Sequence, residues 1–202
     1  MGRPTAKLQV SETKSKSSSE EFMQVTNVHA GDSSRLVVLH GDVNEASISM
    51  VVAQLLHLAS QNHKPIHLVI STYGGSVDEM FTLYDTIKFL PCPVHTIALG
   101  KVMSAGVLLL ASGKKGKRMI GQSARIMIHP VSGGAGGTVF EVLNDVKEHK
   151  RLQDQMVDAI VKETGSTKSK IEKIMKTGHD VYLLPEEAIR LGIVDKIIGE
   201  NE

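Results

Sequence analysis

The chain has 202 residues, enough for one α/β domain with a sizeable core. Its 23 basic and 22 acidic side chains leave a formal net charge of +1, and aromatic residues make up only 3% with no Trp, so it carries neither a basic footprint nor a stacking platform for nucleic acid. The single cysteine, Cys92, excludes an internal disulfide, and no apolar run reaches the roughly 20 residues of a membrane span or forms a signal core, so a soluble protein of the reducing cytoplasm is expected.

Residues 1–34 are expected to form a flexible arm. The stretch Ser11–Glu21 has no apolar residue and cannot offset its ordering entropy by burial. A weak strand at 22–28 and a turn at 30–34 complete the arm. Residues 35–202 read as the folded domain. Arg35–His40 is a buried strand, and Asn44 is the N-cap of a helix through Ser60, with Ile48, Val51, Val52, Leu55 and Leu56 at helical spacing. Pro65–Ile70 is the next strand. A turn at Tyr73–Val77 leads into a helix to about Leu90, and the strand at 93–99 follows.

The stretch 100–112 then carries one small polar residue, Ser104, between glycines and an apolar helical block at Val107–Ala111. Lys114–Arg118 is a solvated basic turn. Short strands occupy 118–120 and 123–128, and Val131–Gly137 is a glycine-rich loop. Thr138 to about Thr164 reads as one long helix, roughly 40 Å at about 1.5 Å per residue, with a thin apolar stripe suited to packing on another subunit. Gly165 ends it, Ser166 is expected to cap a short helix over 167–176, and Val181–Leu184 is a strand. Pro185 opens and Gly192 closes a last helix, and 193–198 closes the domain. Strands and helices alternate at short spacing, which implies an α/β class with a largely parallel sheet and right-handed crossovers.

A serine on a tight strand-to-helix turn presents its hydroxyl as a nucleophile must, although serine is also a common helix cap. A nucleophilic serine needs a base. His129 ends an apolar strand, where parallel sheets build their sites; His40 is the competing histidine. A carboxylate should orient the imidazole, and Asp180 and Asp195 are the two candidates, since Asp78 and Glu79 suit the start of a helix. Gly74-Gly75 could supply a backbone N–H to an oxyanion hole or form a turn only, with the N–H of Ala105 as second donor. No metal-ligand spacing or phosphate-loop motif occurs, so no metal and no cofactor are expected.

In order along the chain stand Gly74-Gly75-Ser76-Val77, Met103-Ser104-Ala105-Gly106, Ala111–Arg118, Ser123-Ala-Arg-Ile-Met-Ile-His-Pro130, the glycine-rich loop with its long helix, and Tyr182–Asp195. Over roughly 35–198 this combination resembles ClpP, the proteolytic subunit family of the Clp protease. The resemblance implies the ClpP/crotonase-like α/β fold of repeated ββα units with a long protruding handle helix at about 138–164. It implies a serine endopeptidase with a Ser104–His129–Asp180 triad and oxyanion donors at Gly74 and Ala105. An extended unfolded polypeptide would bind along Gly75, Ser76 and Val77 on one side and Val131, Ser132 and Gly133 on the other. It further implies self-association into heptameric rings, stacked in pairs into a tetradecamer through the long helices, and an ATP-dependent unfoldase of the Clp type that feeds the chamber.

The chain departs from the family pattern at four places. Tyr73 precedes Gly-Gly where proline is usual, and Ala105 replaces a bulkier residue. Pro130 follows His129 in place of glutamine, and no arginine stands beside Asp180. The first 34 residues also lack the family's apolar axial hairpin. Two other readings compete: a ClpP-like ring subunit without activity of its own, and a crotonase-like acyl-CoA hydratase or isomerase, which would need a glutamate such as Glu79 at the site. A Ser–Lys peptidase lacks an obviously placed lysine.

Overall fold

A computed structural model of the chain describes residues 35–199. The expected arm at 1–34, with its strand and turn, lies outside the described residues. The remaining elements alternate as expected. β1 (Leu36–His40), β2 (Ile66–Thr72), β3 (Val94–Met103), β4 (Met119–Ile120) and β7 (Lys196–Ile197) lie in that order across one sheet and are all parallel. β5 (Arg125–Ile128) pairs parallel with the far end of β3, Lys101–Met103. β6 (Val181–Leu183) then pairs antiparallel with β5. The sheet therefore forks at β3, and the second branch carries the site.

The helices are α1 (Glu45–Gln61), α2 (Val77–Phe89), α3 (Ala105–Ala111), α4 (Val139–Thr164), α5 (Lys168–Met175) and α6 (Pro185–Leu191). Local chemistry sets most of their ends. Asn44 accepts from Ser47 N–H at 3.0 Å while Ser47 Oγ accepts from Asn44 N–H at 3.2 Å, a reciprocal cap for α1. Thr138 and Glu141 do the same for α4, and Gly165, at φ 73°, closes it. The expected cap at Ser166 is instead Thr167, which accepts from Lys170 N–H; Ser166 Oγ donates to Leu191 O at 2.8 Å and ties α5 to α6.

Three buried charges fix the frame. Arg35, 2% exposed, donates to the carbonyls of Leu58, Asn62, Lys64 and Pro65, which satisfies the C-terminal end of α1 that has no basic residue of its own. Glu163 near the end of α4 accepts from Tyr84 Oη and Lys88 Nζ, both at 2.7 Å, and joins α4 to α2. Burial, the Glu163 hydrogen bond and its charge push the Tyr84 phenol well above its ordinary range. Arg118 reaches Glu163 O at 3.1 Å and forks onto Asp195 at 2.6 and 3.0 Å.

The core lies between the sheet and α1–α3, with α3 buried at every position. β3 runs four residues past the expected end at Leu99 because Gly100, at φ 67°, absorbs a bulge and lets the strand resume. The C-terminal half of α4 buries Met156, Val157 and Ile160. Its N-terminal half leaves Val139, Phe140, Leu143 and Val146 exposed, Phe140 at 80%.

Candidate active site

Ser104 stands between β3 and α3 with φ 53° and ψ −122°, the one non-glycine residue of positive φ among those described. A left-handed serine costs of order 1–3 kcal/mol, so the surroundings must impose it. They do so from both sides. Ser104 N–H donates to Met127 O at 2.8 Å, which locks the turn onto β5. Gly74 packs so closely underneath that a Cβ there would lie 2.6 Å from Ser104 Cβ, and a Cβ at Gly106, two residues on, would meet Thr72 Cγ2 at 2.5 Å. The serine side chain makes no capping bond to α3. Its Oγ lies 2.6 Å from His129 Nε2, within hydrogen-bond reach of that ring nitrogen. Because β5 binds the serine backbone and ends one residue before His129, the same strand sets both partners.

Asp180 is exposed and accepts weakly from Tyr182 Oη at 3.5 Å. No hydrogen bond among the described residues joins it to His129. The β5–β6 ladder ends with Ile128 paired to Val181, and His129 and Asp180 are the residues that flank this last pair. The alternative, Asp195, is committed elsewhere. Burial alone would raise its carboxyl, but the Arg118 side chain and backbone N–H hold it below the usual carboxylate range. His40 is exposed at the end of β1 and has no part in this cleft.

The oxyanion expectation needs one correction. Gly74 N–H is spent on Thr72 Oγ1 at 2.9 Å inside the turn, and Gly74 is buried. Gly75, at φ 150°, is exposed, lines the cleft and has no partner for its N–H among the described residues; the same is true of the Ala105 N–H. Gly75 tolerates no side chain because a Cβ would collide with the Val43 backbone. The cleft is completed by Val77, Pro130, Val131, Ser132 and Met156. Of the expected peptide-binding residues, Gly75, Val77, Val131 and Ser132 line it, whereas Ser76 is taken up by capping α2 and Gly133 by packing on α4. Met156 is a cleft residue that sequence spacing assigns only to the core stripe of α4.

Among the described residues no group of three or more His, Cys, Asp or Glu side chains is gathered as for a metal, and no helix is long and apolar enough to cross a membrane. The larger depression on α5, lined by Ser169, Glu172, Lys173, Lys176 and Thr177, contains neither the histidine nor the strained serine and lies apart from the cleft. Residues 18–201 match the family model described as Clp protease. The match spans the strained serine, the histidine beside it and the whole forked sheet, and the chain belongs to the Clp protease family, whose members are peptidases.

Proposed function

We propose that the chain is a serine endopeptidase that cleaves unfolded polypeptide. The single observation that carries this reading is the 2.6 Å contact between Ser104 Oγ and His129 Nε2 at a strained strand-to-helix turn with two unbonded N–H groups beside it. In the reaction, His129 Nε2 takes the Ser104 proton as Oγ attacks the peptide carbonyl carbon. The N–H groups of Gly75 and Ala105 hold the oxyanion, in the place first expected for Gly74 and Ala105. His129 returns its proton to the leaving amine, and water then releases the acyl group. Asp180, which flanks the last β5–β6 pair as His129 does, supplies the orienting carboxylate by a side-chain rotation away from Tyr182. Val77, Val131 and Met156 give the cleft an apolar wall suited to an aliphatic side chain.

The working enzyme is a double ring of heptamers that encloses the site, resides in the cytoplasm and is fed by an ATP-dependent Clp unfoldase. The exposed Val139, Phe140, Leu143 and Val146 on α4 support contact between copies, since such a patch is poorly tolerated in water. Crotonase-like chemistry is disfavoured because no carboxylate lines the cleft. The test is hydrolysis of a fluorogenic peptide by the purified chain, with loss of all turnover in Ser104→Ala. Ring formation with no cleavage would leave the non-catalytic subunit as the better account, and hydration of an enoyl-CoA would restore the crotonase one.

A further inference from the structure

Two side chains on one face of α4 hold the glycine-rich segment that follows His129. Gln153 Oε1 accepts from Val131 N–H at 2.6 Å. One helical turn earlier, the His149 ring lies against Gly133, so close that a Cβ at 133 would stand 2.6 Å from Cε1 and 2.7 Å from Nε2. Residues four apart on a helix share a face, so the two contacts form one continuous seat, which Met156 extends into the cleft. Gln153 Nε2 is buried without a partner among the described residues. A buried amide donor left unpaired is unfavourable, and it accompanies the Oε1 contact to Val131. Ser132, between the two seated residues, lines the cleft, and neither its N–H nor its C=O is hydrogen-bonded among the described residues.

We propose that Gln153 and His149 are positioning residues that fix the register of the glycine-rich segment, so that Ser132 presents its N–H and C=O to an extended peptide as an added strand. The peptide chemistry rests on the reading of the cleft as a peptidase site; the seat itself rests on α4. Gln153 consumes the Val131 donor, and His149 sets how closely the segment can approach the helix. A side chain at 133 would press on the imidazole beneath it, so either the ring or the segment must shift. Peptide affinity should therefore depend on the helix, while Ser104 and His129, held by β5, should not.

The experiment uses the Ser104→Ala protein and fluorescein-labelled casein, read by anisotropy, so that binding is measured without turnover. Gly133→Ala is expected to weaken binding about tenfold, and adding His149→Ala to restore it to within about twofold. Gln153→Met should weaken binding similarly, whereas Gln153→Glu, which keeps the acceptor and removes the orphaned donor, should not. In the active chain these changes should raise KM for a leucyl-leucyl aminomethylcoumarin peptide at unchanged kcat and unchanged fluorophosphonate labelling of Ser104. General loss of structure would instead lower kcat and labelling together. Undiminished binding in Gly133→Ala, a defect that His149→Ala does not relieve, or a fall in kcat at constant KM would each overturn the proposal. Binding that follows the cycle in a chain whose Ser104 takes no label would keep the seat and remove the peptidase reading instead.

Discussion

Ser104 and His129 meet because one short strand holds both, and two carboxylates compete to complete them. Asp195 is tied to a guanidinium that is 4% exposed, so its role is in the fold. Asp195→Asn should lower stability by about 3 kcal/mol, because it leaves a buried cation poorly paired, and should reduce the melting temperature by about 10 °C while sparing the turnover of molecules that remain folded. Asp180→Asn should do the reverse, with an unchanged melting curve and a kcat lowered about 10²–10⁴-fold. Calorimetry and peptide kinetics on the two variants separate the roles, and a matched loss of kcat in both would contradict the assignment. The residues alone leave Asp180 and Asp195 both open, and only the resemblance to the family favours Asp180. The ion pair that occupies Asp195 joins residues 77 apart and leaves no local signature. Gly74 and Gly75 show the same limit. Which of two adjacent glycines keeps a free N–H depends on the Thr72 hydroxyl, a side-chain choice that no glycine pattern encodes.

Elements were legible where chemistry is local. Asn44, Gly165, Pro185 and Gly192 mark ends that the fold respects, because capping and left-handed closure involve neighbours in sequence. β3 was cut short at Leu99 because Gly100 reads as a break, whereas pairing to β2 and β5 carries the strand across it. The cap of α1 by Arg35 was invisible because that residue, just before β1, lies 23 and 27 residues from the carbonyls of Leu58 and Asn62 that it bonds. Pairing also creates the pH sensitivity of the sheet. His67 of β2 and His95 of β3 sit side by side with ring centroids 5.1 Å apart, and His67 Nδ1 is buried without a partner. Burial, then the neighbouring His67 and Lys117, push the His95 imidazole down to about 4; burial lowers His67 as well. The unfolded chain binds these protons near 6.5, so below that pH it is the unfolded state that gains protons. Stability should be flat above about 6.5 and fall as the pH drops toward about 4. His95→Gln should flatten that slope in urea titrations run across the window, and an unaltered slope would remove the pair as its source.

At the scale of the whole molecule, α4 has two halves with different tasks. Its C-terminal half is bound into the core by Met156, Val157, Ile160 and the Glu163 contacts. Its N-terminal half projects an apolar stripe that nothing among the described residues covers. The apolar stripe is legible from spacing alone, whereas the seat for the glycine-rich segment is not, because two polar side chains, His149 and Gln153, make it by continuing the face that buries Met156 and Ile160. If the stripe joins two rings, Phe140→Ser should halve the native mass in solution without altering the helical content. Native mass spectrometry reads this directly, and an unchanged mass would place the contact between copies elsewhere.

The claim that Ser104 is a nucleophile activated by His129 is tested most directly by fluorophosphonate labelling, with the adduct located by mass spectrometry. The account predicts one adduct per chain, on Ser104, absent from Ser104→Ala and slowed at least about 10³-fold in His129→Ala. Labelling that persists at full strength in Ser104→Ala, or an adduct on another residue, would contradict it.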